Sequence, residues 1–462
     1  MAYGKTIAAI STPSGKGGVA IIRISGEDAG DIAKKIFFPR GKKLPEDAPR
    51  VAIYGDIRYS DEYIDDGIAI YYKAPNSYTG EDIVEINCHG GTLVTKRVLE
   101  AAFMAGATPA GPGEFTERAF INGKLSLAEA ESISELLEAK SYEQIRLSSL
   151  PMREKLGGAV AEIRDSLVSL LSSVFARIDY PDEDLGDFTD EETKQRLVDI
   201  KEKLDSLLKT YPTGKAIRDG VYTVIAGKCN VGKSTVYNAI LGEDAAIVTD
   251  IEGTTRDVLN STVAVGKVLL RLADTAGVRS SDRIDTVEKI GIERSLKAIH
   301  NAELVIAVFD SSREVDLDDT RLIEIIKKSS IARIALINKC DLNAKFDENV
   351  LDGVFDKVIH TSARESAEKT AQLISDAVDS LFTDEAVISS DTAIVSSARH
   401  NASLTRALEF VNAAIAAIDS GVCADAAASE IERALGAVSE VDGREVSEAV
   451  LTDIFSKFCV GK

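Results

Sequence analysis

The sequence contains no tryptophan and no CxxC pair, and no apolar run approaches the roughly 18 residues of a membrane span. The N-terminal stretch MAYGKTIAAISTPSGKGG has no basic segment followed by a long apolar core, so no signal peptide is expected. The five cysteines (Cys88, Cys229, Cys340, Cys423, Cys459) are scattered and odd in number, which argues for reduced thiols and a cytoplasmic protein. Blocks of basic residues are also missing: 54 Lys and Arg stand against 75 Asp and Glu, a formal net charge of −21. Phosphate backbones are gripped by clustered Lys and Arg, so any action on nucleic acid requires a partner to supply much of the electrostatic grip. Base stacking would fall to the 12 Tyr and 14 Phe. Internal repeats and low-complexity tracts are absent too.

What is there is a chain of 462 residues, long enough for about two to four domains, each with its own core. Residues 1–120 read as short strands with a few helices. TIAAIST and GVAIIRIS flank a Gly-rich turn, and DGIAIYY and DIVEINC are β-branched runs bounded by turn residues. From KLSLAEAESISELLEAKS onward the texture becomes helical and rich in Ala, Leu, Glu and Ser, so 121–215 reads as helical. It is broken at IDYPDEDLGDFTDEE by Pro181, Gly186 and many carboxylates. Residues 216–384 alternate apolar strands (VYTVIAG, LVIAVFD, RIALINK, KVIHTSA) with helices, the pattern of a parallel α/β domain. Residues 385–462 are helical again and end on KFCVGK. The spacing of Val446, Val450, Ile454 and Phe458 predicts a final helix packing along that stripe. The expected fold is therefore multidomain α/β and α: a strand-rich α+β N-terminal domain, a discontinuous helical domain, and an inserted Ras-like P-loop domain.

The insert carries a nucleotide signature. GKCNVGKST (227–235) follows a strand and opens a helix. Backbone N–H groups of such a loop (Asn230, Val231, Gly232) would face phosphate oxygens at the helix N-terminus, beside Thr235. Lys233 would reach the β- and γ-phosphates, and the Ser234 hydroxyl would hold Mg²⁺. GTTRD supplies Thr255 as a second Mg²⁺ hydroxyl, preceded by Thr249 and Thr254 in the same loop. DTAG (Asp274, Thr275, Ala276, Gly277) places a carboxylate behind the metal and an N–H that senses the γ-phosphate. NKCD (Asn338, Lys339, Asp341) ends an apolar strand, and Asp341 can accept two hydrogen bonds from the guanine edge, a contact adenine cannot offer. The Ser362–Ala363 backbone of TSAR would meet guanine O6. GTP is therefore the expected nucleotide.

Ras-like GTPases place a glutamine just after DTAG and borrow an arginine finger. Here that position is Val278, which cannot orient water. Asn230, with carbonyls of the 249–254 loop, offers a place for a monovalent cation where the arginine would lie. Glu288 in VEKIGIERS is the candidate for positioning the attacking water.

GGVAIIRISG, NSYTGEDIVEINCHGG, PGEFTERAFINGKLSLAEAE, ARIDYPDED and the terminal CVGK, combined with an Asn in the phosphate loop, resemble the MnmE (TrmE) family of tRNA-modification GTPases over the whole chain. The resemblance implies a cytoplasmic homodimer, with dimerisation and folate binding in the N-terminal domain. It implies work with the FAD- and NADH-using partner MnmG (GidA), to install a carboxymethylaminomethyl or aminomethyl group at C5 of the wobble uridine. The one-carbon unit would come from 5,10-methylenetetrahydrofolate or a related folate. It further implies potassium ligands at Asn230, Thr249, Ile251 and Thr254, and folate contacts at Arg23, Glu85, Lys124 and Lys462. Cys459 would sit on a short tail able to explore a neighbouring cavity, as a nucleophile, as a positioning group, or with no role. The rival readings are a ribosome-assembly GTPase, which usually adds a basic RNA-binding domain not found here, and a nucleotide-gated scaffold without chemistry of its own.

Overall fold

The structure, a computed structural model, describes residues 4–179, 189–242, 261–273, 299–389, 392–421, 424–444 and 446–462. The chain divides into two compact units, residues 1–137 with 438–462 and residues 138–437.

The first unit is built on seven strands: β1 (Ile7–Ile10), β2 (Val19–Ser25), β3 (Phe37–Pro39), β4 (Ile53–Tyr59), β5 (Glu62–Tyr72), β6 (Ile83–His89) and β7 (Thr108–Pro109). They lie in the order β3-β4-β5-β6-β2-β1-β7. Neighbours run antiparallel except β1 and β7. Alternation along the strands sorts the side chains. Ala20, Ile22 and Ile24 of β2 and Val84, Ile86 and Cys88 of β6 share a core with Ile32 and Ile36 of helix Ala29–Ile36 and Val98, Ala101 and Ala102 of helix Thr92–Ala105. The residues in between, Arg23 and Glu85, fall on the opposite face and pair directly across β2 and β6. On that face Ile7 and Ala9 pack against Phe115 of helix Glu114–Ile121.

Helix Glu448–Ser456 belongs to this unit, and three residues of the expected stripe, Val446, Ile454 and Phe458, pack in one cluster. Phe455 and Phe458 are buried with Leu127 and Ala130, while Val450 stays exposed. A strict spacing of four drifts about 40° per step around a 3.6-residue helix, so Val450 turns outward while Leu451 and Phe455 join the packed face. The tail beyond is not free to explore. Val460 forms an antiparallel bridge with Pro112. The Phe115 N–H donates to the Lys462 carbonyl (3.2 Å), and the Ser11 hydroxyl to the Gly461 carbonyl (3.0 Å).

The second unit carries a six-stranded sheet of β8 (Val221–Ala226), β9 (Ser261–Val265), β10 (Val268–Leu272), β11 (Leu304–Asp310), β12 (Ala332–Asn338) and β13 (Lys357–His360), ordered β13-β12-β11-β8-β10-β9. All pairings are parallel except the β9–β10 hairpin at one edge. Every residue of β11 is buried, as a central parallel strand covered on both faces requires. Helices Lys233–Leu241 and Ala367–Phe382 share one core with the sheet, and helix Leu317–Lys327 shares the other. Sequence on both sides of this domain is helical. Helix Leu150–Asp179 buries Val160, Ile163, Leu167, Leu170 and Val174, a three-and-four spacing, and packs on helix Asp190–Lys209. The latter starts on a capping box between Thr189 and Glu192 and also packs on helix Ala398–Asp419. No described helix is long and apolar enough to cross a membrane.

Candidate functional site

The described nucleotide motifs, the phosphate loop, NKCD and TSAR, gather at the carboxyl ends of the parallel strands, where open α/β sheets place their ligands. The loop after β8 ends with Gly232 capping helix Lys233–Leu241 in a left-handed conformation (φ 105°). A Cβ there would lie 2.2 Å from Asn338 Nδ2, so only glycine lets the two loops approach this closely. Asn338, 3% exposed, fastens three motifs together. Its amide N–H donates to the Val231 carbonyl (2.9 Å), and its Oδ1 accepts the Ala363 N–H (3.0 Å). This satisfies a buried amide and links the phosphate loop, NKCD and TSAR in one network.

Lys233 Nζ donates to the Lys228 carbonyl (2.6 Å), folded back over its own loop. Burial pushes its ammonium below the usual lysine range, a desolvation that an anion opposite it would relieve. Ser234 is exposed and Thr235 half-buried at the first turn of the helix, where phosphate and its metal belong. Asn230 is exposed and left-handed (φ 64°), and its carbonyl accepts from Lys339 Nζ (2.8 Å), leaving its side-chain amide pointing at no partner in the network described. Thr249, Ile251, Thr254, Thr255, the DTAG residues Asp274, Thr275, Ala276 and Gly277, and Glu288 lie outside the described residues.

Asp341 is exposed, and its Oδ1 accepts from the Ser362 hydroxyl (2.6 Å). The contact fixes the carboxylate plane while leaving acceptor capacity for the guanine N1–H and 2-amino group. Asp341→Asn is expected to weaken GTP binding by about 100-fold or more, because the base edge then meets a donor in place of an acceptor. Xanthosine triphosphate, whose C2 carbonyl can accept from the new amide, should be preferred; competition of the two nucleotides for the variant measures it, and retained GTP preference refutes the assignment.

A second cluster lies in the first unit, on the sheet face opposite helices Ala29–Ile36 and Thr92–Ala105. Arg23 donates through Nε (3.0 Å) and Nη2 (2.8 Å) to Glu85 Oε1. The guanidinium is flanked by the rings of Tyr78 (5.4 Å) and Phe115 (5.6 Å), a cation–π arrangement that holds it in place. Among the described residues Glu85 Oε2 meets only a long contact from the Tyr72 hydroxyl (3.4 Å), so one carboxylate oxygen keeps its acceptor capacity. The tail brings Lys462 to this cluster: burial, and then the positive charge of Arg23, push its ammonium below the usual range. A second cation beside the half-buried Arg23–Glu85 pair suits a ligand with an anionic end and a donor edge. Lys124 contacts the loop that carries Tyr78, donating to the Pro75 carbonyl (3.1 Å) with its stem beside Gly80. Cys459 is an exposed free thiol next to this docked tail.

Sequence reading missed the two rings around Arg23. Tyr78 and Phe115 sit in segments quoted for the family resemblance, but nothing in their spacing says that they close on one guanidinium. It also missed Arg118, 1% exposed, which donates to Glu81 (3.0 Å) and Glu114 (2.7 Å) and so ties the loop of Tyr78 to the helix of Phe115.

The family model described as the GTP-binding protein TrmE N-terminus matches residues 6–124, and that of the MnmE helical domain matches residues 127–459. The tRNA modification GTPase MnmE of Thermotoga maritima is 40% identical over 99% of this chain and 100% of its own length. That of Clostridioides difficile is 37% identical over 99% of each chain, and that of Bacillus subtilis 38% identical over 99% of this chain and 100% of its own. End-to-end matches at this identity, with the TrmE and MnmE models tiling the chain from its first strand to its tail, establish that it belongs to the MnmE family of tRNA modification GTPases.

Proposed function

We propose that this chain hydrolyses GTP under potassium activation, and that hydrolysis serves a tRNA-modification reaction carried out with the FAD-dependent partner MnmG. The observation that carries the nucleotide half is Asn338, which ties the phosphate loop to the NKCD and TSAR loops. Ser234 and Thr255 would hold Mg²⁺. Asn230, Thr249, Ile251 and Thr254 would hold potassium, and amide, hydroxyl and carbonyl oxygens suit such a hard cation. Bound there, the ion would supply the positive charge that an arginine finger supplies elsewhere.

Glu288 is assigned to orienting the attacking water. Glu288→Ala should leave GTP affinity nearly unchanged and cut single-turnover hydrolysis by about 100-fold or more, since such a group acts mainly in the transition state. If turnover survives, the water is oriented by another carboxylate, with Glu293 and Asp285 next to test.

The N-terminal cluster is assigned to a folate. Its pterin edge carries a ring N–H beside an exocyclic amine, which Glu85 can read as Asp341 reads guanine. Lys462, Arg23 and Lys124 would meet its polar rim or carboxylates. The half-buried Glu85 with one oxygen still able to accept supports this reading. The bound folate would supply the one-carbon unit. The product is proposed to be a carboxymethylaminomethyl or aminomethyl group at C5 of the wobble uridine, made by a cytoplasmic homodimer of this chain. A net charge of −21 fits a division of labour in which the partner carries much of the tRNA grip. Reconstitution with MnmG and unmodified tRNA, omitting folate or potassium in turn, tests the assignment: product formed equally well without folate would refute the donor.

A further inference from the structure

Asp310 closes β11 and belongs to none of the nucleotide motifs, yet it is the buried anion on which two of them lean. Its side chain is 4% exposed. Oδ1 accepts from the Ser312 N–H (3.0 Å) and the Ser312 hydroxyl (2.7 Å), and Oδ2 accepts from Lys339 Nζ (2.7 Å), with Arg313 Nε at 3.3 Å. Burial alone would raise this carboxyl, but the bonds from Lys339 and Ser312 override it and hold it below the usual range. Lys339 has a left-handed backbone (φ 63°), and its ammonium divides its hydrogens between Asp310 and the carbonyl of Asn230 in the phosphate loop. The loop peptide at Asn230 is left-handed as well. Two unfavourable backbone conformations thus face each other, joined by one ammonium whose charge is balanced by one carboxylate.

We propose that Asp310 is a positioning residue for guanine-nucleotide binding, acting through Lys339 to hold the phosphate loop at Asn230 in its ligand-ready shape. Without the Asp310 charge, Lys339 and Arg313 become two neighbouring cations with no anion between them. The ammonium then swings away from the Asn230 carbonyl, and the loop peptide loses its brace. Lys228 adds a lesser brace from the same stretch: it pairs with Asp316, which caps helix Leu317–Lys327. Asp316 is half exposed, and exposed pairs contribute little, so Asp310 is the dominant support.

A double-mutant cycle read by binding of a fluorescent GDP analogue tests this. Asp310→Asn is nearly isosteric and should weaken the analogue's binding about 10-fold or more, mostly through faster release, as loss of one partner of a buried pair does. In a Lys339→Met background the same change should cost less than about 2-fold, because the group it acts through is gone. A general loss of fold would weaken binding equally in both backgrounds, so the coupling separates positioning from damage. Equal effects in the two backgrounds, or unchanged affinity in Asp310→Asn alone, overturn the proposal. Should Asp310→Asn not fold, Asp310→Glu takes its place. Its displaced charge should weaken binding several-fold with Lys339 present and not with Met, and equal effects again overturn it.

Discussion

GTP hydrolysis should run about 1,000-fold faster in potassium than in sodium at equal ionic strength, the lower end of what an arginine finger contributes. Asn230→Ala should remove most of that difference. Val278 stands where a Ras-like GTPase has its water-orienting glutamine, a class that also borrows an arginine finger. Under the proposed mechanism a monovalent cation at Asn230 supplies the positive charge that the arginine finger supplies in that class. Its carbonyl is taken by Lys339 (2.8 Å), so the side-chain oxygen is the group left to a cation. Its left-handed backbone, φ 64°, is one that asparagine tolerates better than alanine. Part of the loss in Asn230→Ala would therefore come from the loop itself. Nucleotide affinity separates the two contributions: a strained loop weakens GTP binding in both salts, whereas a lost cation ligand removes the potassium advantage at saturating GTP. Equal rates for the unaltered protein in the two salts would sink the cation reading.

The parts legible in the sequence are those in which one residue type does one local job. Gly232, Lys233 and Asp341 announce themselves because phosphate and guanine recognition leave little choice of chemistry, and β11 announces itself because a strand covered on both faces must be apolar throughout. Hairpin β9–β10, edge strand β3 and its neighbour β4 went unread. Strand β4, with Tyr54, Asp56 and Arg58 turned from the core and Gly55 between Ile53 and Ile57, has too few apolar side chains to stand apart from a loop. Asp310 was equally invisible, because its meaning lies in Lys339, 29 positions away in the sequence. The tail was misread for the same reason. Four residues after a helix look free, and only the tertiary structure supplies Pro112, Ser11 and Phe115 as partners.

That docking sharpens what the tail should do. Gly461 sits at φ 98°, and a Cβ there would lie 2.2 Å from the Ile10 carbonyl oxygen. Any side chain at 461 therefore has to push the tail off β1, taking Lys462 away from Arg23 and Cys459 away from its present place beside Gly113, whose N–H approaches the Cys459 carbonyl (3.4 Å). Cys459→Ser keeps this backbone and changes only the thiol, whereas Gly461→Ala keeps the thiol and displaces the backbone. Both should leave potassium-stimulated GTP hydrolysis intact, because the nucleotide loops belong to the other compact unit. With MnmG and tRNA, Gly461→Ala should abolish wobble-uridine modification, as deletion of residues 459–462 should. Cys459→Ser decides between the two roles open to the thiol. Loss of modification by about 1,000-fold marks it as the nucleophile, since a serine hydroxyl near neutral pH is a far weaker nucleophile than a partly ionised thiol. Full modification by the serine variant leaves the tail a positioning element, with Lys462 and the shape fixed by Gly461 as its working parts. Full modification after deletion of all four residues would end both readings.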